Sequence, residues 1–275
     1  MRLGFIGAGR MGRPMARRLC EAGHDVRVLA RSPEARRTLE GEGLRPADGL
    51  AGAAAEADAV VVCVFTDEQV REVCLGGALL DAMPRGSVLV VHTTGSPQTV
   101  EAVAKEAASR GIGVVDAPVS GGPHDIAAGR LTVFAGGAED AVARVRPVLE
   151  SYGDPVLHVG PLGSGQRVKL LNNALFAAQI GLLADAVRLG GQWGVDESVL
   201  LGALPHGSST SRALAGVVAR GSVAGFAAST GGFLGKDMEV LERVSTELGG
   251  DLGALDAGLT ALAAALNEAR RPAGE

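Results

Sequence analysis

The sequence predicts an α/β protein in which a doubly wound parallel sheet is followed by an all-helical domain, the two joined by one long helix. Two patterns carry this. Over the first ~160 residues short β-branched runs alternate with helical stretches, as βαβ units do. Beyond Gly163 helical periodicity persists without a convincing strand. With 275 residues and roughly 150 residues per domain as a prior, the chain divides into domains 1–163 and 164–275.

In order along the chain, strands are expected at Leu3 to Ile6, Asp25 to Leu29, Ala59 to Phe65, Ser87 to His92, Val114 to Asp116, Thr132 to Ala135 and Val156 to Val159. Each is short and rich in β-branched or apolar residues. Between them Met11 to Ala22, Glu68 to Cys74 and Gln98 to Arg110 have the Ala, Glu, Arg and Leu content of helices, and Gly23 suits a left-handed cap. The second domain opens with Gln166 to Gly190, about 37 Å long at 1.5 Å per residue, with Ser164 as its N-cap. Further helices are expected near Glu197 to Leu204, Ser211 to Arg220, Leu234 to Leu248 and Leu255 to Ala269, before a frayed tail from Arg270 to Glu275.

Composition narrows the function classes. A hydrophobic share of 47% against 21% charged residues belongs to a folded globular chain. The net charge of -5 argues against nucleic acid as main partner, because phosphate neutralisation needs a basic surface. Cys20, Cys63 and Cys74 form no C-x-x-C pair, so neither a disulfide framework nor a zinc site is indicated. Arg10 interrupts the apolar start too early for a secretory segment. No uncharged apolar run approaches the ~20 residues of a membrane span. The expectation is a cytoplasmic protein with no metal, nucleic acid or membrane partner.

Gly7, Gly9 and Gly12 form G-x-G-x-x-G between the first strand and the first helix, the context of a dinucleotide-binding, Rossmann-type domain. Gly7 permits the tight turn, Gly9 lets a pyrophosphate approach the backbone, and Gly12 lets helix and strand pack closely. NAD sites usually place a carboxylate at the end of the second strand. Here Ala30, Arg31 and Ser32 stand there, so Arg31 and Ser32 are candidates for the 2′-phosphate of NADP, which is favoured over NAD. Stacking of Arg31 on adenine, which either cofactor permits, is the competing role.

Lys169 and Asn173 are four residues apart and so share one helix face. Leu170, Leu171, Leu175 and Phe176 surround them. A lysine near a helix N-terminus among apolar residues has its charged form disfavoured, which suits a proton donor or acceptor. Taken alone, a lysine early in a helix is most often a solvated surface residue.

Four separated segments together resemble the β-hydroxyacid dehydrogenase family, the 3-hydroxyisobutyrate dehydrogenase and tartronate semialdehyde reductase type. GFIGAGRMGRPMARRL, which includes Arg10 and Met11, is similar to its cofactor loop, and Asp116 to Gly122 (DAPVSGG) to its substrate segment. Gly163 to Asn173 (GSGQRVKLLNN) is similar to its catalytic helix, and Gly232 to Met238 (GFLGKDM) to its C-terminal motif. The resemblance implies Lys169 as general acid/base, Asn173 as a substrate-orienting amide, and Ser120, Gly121 and Gly122 as a turn whose hydroxyl and backbone N–H groups hold a substrate carboxylate. It also implies Lys236 near the nicotinamide, with Asp237 fixing the local charges, and Phe65, Thr66 and Thr94 along the cofactor. The implied activity is hydride transfer between NADP or NAD and a small hydroxy acid or its semialdehyde, by a homodimer or homotetramer. Arg212 is a further candidate for a substrate carboxylate. Pro123, His124 and Asp125 depart from the family pattern, which leaves the substrate open; His124 reads either as a solvated loop residue or as the contact of a second anionic group. Two alternatives share the fold: an imine reductase, against which Lys169 counts, and a non-catalytic dinucleotide-binding scaffold, against which Lys169 and Asn173 together count.

Overall fold

A computed structural model describes the backbone of residues 1–270, and their side chains except at 231, 233 and 268–270. The chain divides into two compact units, Met1–Lys169 and a second that begins at Leu170. Of the expected tail, residues 271–275 lie outside the described residues.

In the first unit the described strands form one sheet: β1 (Arg2–Ile6), β2 (Asp25–Ala30), β3 (Arg45–Asp48), β4 (Ala59–Val62), β5 (Val88–Val91), β6 (Gly113–Asp116), β7 (Val119–Ser120), β8 (Leu131–Gly136) and β9 (Gly153–Gly160). The spatial order is β3-β2-β1-β4-β5-β6-β8-β7, with β9 pairing to β8. From β3 to β6 every pair is parallel; β8 runs antiparallel to β6 and β7. The 3-2-1-4-5-6 core is the doubly wound order, with its chain reversal between β1 and β4.

The central strands β1, β4, β5 and β6 are near-continuous buried runs because helices cover both faces. Phe5, Val61 and Val90 face a cluster that takes Met15 and Leu19 from α1 (Gly12–Glu21), Leu39 from α2 (Pro33–Gly41), and Val142 and Val145 from α8 (Glu139–Leu149). Ile6, Val60, Val62 and Val91 face the other way, onto Ala54 of α3 (Gly49–Ala54), Val70 of α4 (Asp67–Leu75), Leu79 of α5 (Ala78–Ala82) and Val100 and Val103 of α6 (Pro97–Ser109). Gly23 has φ +84° just beyond α1, as expected of a left-handed turn after a helix.

The helix α9 (Ser164–Gln192) begins in the first unit and continues into the second. There α10 (Glu197–Ala203), α11 (Arg212–Arg220), α12 (Val223–Leu248) and α13 (Ala254–Arg270) follow. Ala177, Ile180, Leu201, Leu214, Val217, Ala227 and Leu262 make its main core, and Leu170, Ala174, Val240, Leu241 and Val244 a second cluster.

Several expectations need correction. The polar β3, with Pro46 on the sheet edge, and the two-residue β7 carry no strand signal, and α2, α3, α5, α8 and the short α7 (Pro123–Ala127) add to the helices singled out between the strands. The helix expected from Leu234 starts eleven residues earlier, at Val223, where Ser222 caps it by accepting the Gly225 N–H. Ser164 is not an N-cap but the first residue of α9; a distant carboxylate takes the capping role, as described below. Finally, α9 is long and apolar enough, by length and composition, to cross a bilayer, although no uncharged run of that length exists. The apolar stretch tolerates Asp185, and it includes Ala174, Ala177, Ala178 and Ile180, all buried.

Candidate active site

The glycine loop has the geometry its spacing implies. Gly7 has φ +100°, and a Cβ there would lie 2.2 Å from the Cys63 carbonyl oxygen on the neighbouring strand end. A Cβ on Gly12 would lie 2.1 Å from the Gly7 oxygen. Both positions exclude any side chain. Gly9 faces open space. Met11 stands at the N-cap of α1 without a side-chain cap, no acidic residue occupies the first turn, and Arg10 is exposed beside it. The N-terminal N–H groups of a helix left in this state suit an anion, and a dinucleotide pyrophosphate fits the cradle.

Beside the end of β2 a groove of about 130 Å³ is lined by Ala8, Arg13, Leu29, Arg31, Thr38 and Leu39, among others, and none of its lining residues is acidic. Arg31 is exposed there. Arg13, which the sequence reading did not single out, is held at the groove by Glu42 at 3.1 Å. Ser32 is engaged locally, since its Oγ accepts the Ala35 N–H at 3.1 Å and caps α2. Its hydroxyl also helps hold the Glu34 carboxyl below its usual range, after the larger effect of the Glu34 backbone N–H.

Phe65 is 61% exposed at the end of β4. Thr66 N-caps α4, accepting the Gln69 N–H at 3.2 Å, while Gln69 Oε1 accepts the N–H groups of Phe65 and Thr66. Thr94, half-buried, follows β5. These three lie beyond the C-terminal ends of adjacent strands, where open α/β sheets bind ligands.

In the segment DAPVSGG the structure separates two roles. Ser120 is half-buried and Gly121 exposed, with φ +131°. The Gly122 N–H does not face outward to a ligand as expected: it donates to Asp125 Oδ2 at 2.8 Å, because Asp125 reaches back to cap α7. His124 stands exposed beside Asp125, 3.2 Å from Oδ2, on a short helix rather than a loop. Asp116, at the other end of the segment, is fully buried and turned toward α9, accepting N–H groups from Gly163 at 2.7 Å and Gln166 at 2.8 Å. Burial raises its carboxyl to about 6, against the lowering pull of those two bonds and the Arg167 charge.

Lys169 is buried at 9% exposure and ends the first unit; Asn173, 4% exposed, is one turn further along α9 in the second. Within the second unit, Asn173 Nδ2 donates to Asp237 Oδ2 at 2.5 Å, and Asn172 Nδ2 donates to Asn173 Oδ1 at 3.0 Å. Asp237 Oδ1 lies 3.1 Å from Lys236 Nζ. The resemblance implied that Asp237 fixes the charges around Lys236, but not that Asp237 also holds Asn173, 64 residues away. Arg212 is exposed at the start of α11. Among the described residues no cluster of His, Cys, Asp or Glu could hold a metal. Burial pushes the Cys63 and Cys74 thiols up to about 12, so neither is a ready nucleophile.

Comparison with known proteins agrees with this geometry. The family described as the NAD binding domain of 6-phosphogluconate dehydrogenase matches residues 2–160. That described as the NAD-binding domain of NADP-dependent 3-hydroxyisobutyrate dehydrogenase matches residues 163–274. A 3-hydroxyisobutyrate dehydrogenase of Pseudomonas aeruginosa is 36% identical over 213 residues, 77% of this chain and 72% of that one. The solved 3-hydroxyisobutyrate dehydrogenase of Mycobacterium tuberculosis with L-serine superposes with a TM-score of 0.85 at 28% identity, covering 96% of this chain and 92% of that chain. Psf3 in complex with NADP+ and 2-OPP gives 0.78 at 26% identity, covering 95% and 93%. With the glycine cradle, the doubly wound order and these matches in hand, the chain belongs to the β-hydroxyacid dehydrogenase family of NAD(P)-dependent oxidoreductases.

Proposed function

We propose that the protein transfers a hydride between a nicotinamide cofactor, NADP in preference to NAD, and a small 3-hydroxy or 2-hydroxy acid or its semialdehyde, with Lys169 as general acid/base. The observation that carries this is the burial of Lys169 one turn before the buried amide of Asn173, which sets an amine able to exchange a proton and an amide able to donate hydrogen bonds on one face of α9. The bound nicotinamide supplies the hydride acceptor or donor. In the oxidative direction Lys169 takes the hydroxyl proton; in the reductive direction it gives a proton to the carbonyl oxygen. An amide nitrogen carries two donors, so Asn173, with one N–H on Asp237, keeps a second for the substrate. The Ser120 hydroxyl and the Gly121 backbone receive the carboxylate, the Gly122 N–H being committed to Asp125; Arg212 is a further carboxylate ligand. Phe65, Thr66, Thr94 and Lys236 line the cofactor.

The preference for NADP rests on Arg31 and Arg13 in a groove whose lining lacks a carboxylate; Psf3, with its NADP+, supports it by similarity. A homodimer is supported by Leu171, Leu175, Leu182, Leu189 and Trp193, all exposed. At about 100° per residue the four leucines fall on one stripe of α9, roughly opposite Lys169 and Asn173, and Trp193 follows just beyond the helix end. Such a stripe can pair with its own copy about a two-fold axis. Light scattering of Trp193→Glu beside the parent chain tests this, a dimer in the parent and a monomer in the variant being expected.

Initial rates with NADP+ and NAD+ in parallel, over hydroxyisobutyrate, glycerate, serine, 4-hydroxybutyrate and hydroxyalkylphosphonates, test the main reading. A rate with one acid and a higher kcat/KM for NADP+ is expected. NADPH binding with no turnover across hydroxy acids and their semialdehydes would contradict it.

A further inference from the structure

One buried carboxylate has no part in the proton or hydride chemistry. Asp116 ends β6 with no exposure, and its two oxygens accept one N–H each, from Gly163 and from Gln166, on either side of the start of α9. The Gln166 side chain, 1% exposed, continues the attachment: its Oε1 accepts the Gly95 N–H and its Nε2 donates to the Thr93 carbonyl, both at 2.9 Å. Four hydrogen bonds thus join Gly163 and the first turn of α9 to the end of β6 and the segment that follows β5. The fit is closed from the β8 side, where a Cβ on Gly136 would lie 2.5 Å from Asp116 Oδ1 and one on Gly165 would lie 2.4 Å from the Phe134 carbonyl oxygen. Lys169 follows Gln166 by three residues, on the next turn.

A helix has four N–H groups at its start without intrahelical partners, and a local Ser or Asp can satisfy them. Ser164 stands where such a local cap is expected, but a cap on the helix itself leaves the helix free to pivot. Here the acceptor belongs to the sheet. Proton transfer tolerates little misplacement, an error of 1 Å costing as much as about a hundredfold in rate.

We propose that Asp116 and Gln166 are positioning residues: they clamp the start of α9 to the ends of β5 and β6 and so fix where Lys169 presents its amine. The inference rests on the reading of Lys169 as the proton-transfer group. The charged neighbour acting on Asp116 is Arg167, itself paired with Glu101 at 3.0 Å. The clamp acts through placement.

The sequence contains three lysines, Lys105, Lys169 and Lys236, so the amine can be watched without turnover. The full chain is reductively methylated with carbon-13 formaldehyde, and the dimethyl-lysine signals are followed by NMR against pH in parent, Gln166→Ala and Asp116→Asn. Asparagine at 116 sets an amide N–H₂ against a backbone N–H, so it opens the clamp by a different route. In both variants the Lys169 signal should move toward that of the exposed Lys105, while Lys105 itself stays fixed. Unmethylated samples should lose about tenfold to a hundredfold in kcat, with KM for the cofactor within twofold of the parent. An unmoved Lys169 signal, or a parental kcat, in both variants overturns the clamp. Turnover retained by Lys169→Ala overturns the reading of Lys169 instead, so the two failures are distinguishable.

Discussion

The two units hold their buried carboxylates in different ways. Asp116, in the sheet unit, is met by backbone donors alone, two N–H groups at a helix start. Asp237, in the helical unit, is met by side chains alone, the Asn173 amide and the Lys236 ammonium. The first arrangement locks secondary structure in place, because neither donor can rotate away. The second orients movable groups, and each of its members is replaceable. Positioning in the sheet unit is therefore a property of the fold, and in the helical unit a property of a few side chains.

The largest effect that sharpens this contrast is expected from Asp237. Asp237→Ala should lower kcat by about a hundredfold, since the half-buried Lys236 ammonium and the buried Asn173 amide lose one partner together, while Asp237→Asn, which still accepts the Asn173 N–H, should recover part of it; steady-state kinetics on both decides. In the sheet unit, Tyr152 donates its hydroxyl proton to His92 Nε2 at 2.7 Å, with His92 Nδ1 donating to the Ala117 oxygen at 2.5 Å. Tyr152→Phe leaves a buried acceptor unmet and should cost about 1–3 kcal/mol in denaturant unfolding, with kcat/KM kept. If kcat falls instead, the division between fold and site is wrong. Arg31→Ala should reduce the NADP+ to NAD+ ratio of kcat/KM by about tenfold, the scale of one charge-assisted hydrogen bond, and Arg13→Ala by less, its guanidinium being shared with Glu42.

The smallest effect is a pH slope. Burial raises the Asp116 carboxyl from 3.8 to about 6, so its support for the fold is complete below the unfolded value and is lost as pH rises through about 6. Burial lowers His92 from 6.5 to about 4, against a raising hydrogen bond to Ala117; its support is present above 6.5 and is lost as pH falls through about 4. Between pH 4 and 6 the two oppose each other. Asp116→Asn should therefore show stability rising with pH across that window more steeply than the parent. An unchanged slope in unfolding free energies would contradict the pairing.

How much was legible in the sequence follows the same division. The inner strands β1, β4, β5 and β6 were readable because burial on both faces makes them near-continuous apolar runs, as in AVVV of β4. The glycine loop was readable because each glycine answers to a local collision. Lys169 and Asn173 were readable from a four-residue spacing and a family resemblance. β3 was not, since RPAD is polar and edge-placed, nor was the start of α12, whose VAGFAAST is small and weakly helical. The contacts of Asp116 with Gly163 and Gln166 join positions 47 and 50 residues apart, and no periodicity records a hydrogen bond between a strand end and a helix start. For the same reason Ser164 looked like the cap: local pattern names the nearest acceptor, and the fold supplied a better-anchored one.

The central claim is that a buried lysine on α9 moves the proton. Lys169→Met, compared with the parent by stopped-flow reduction of NADP+ on the acid found active, tests it most directly, with NADPH affinity measured by fluorescence on the same samples. The account predicts a loss of about 10²–10⁴ in the hydride-transfer rate, the range of general acid–base catalysis, with NADPH binding unchanged. A rate within threefold of the parent would contradict it.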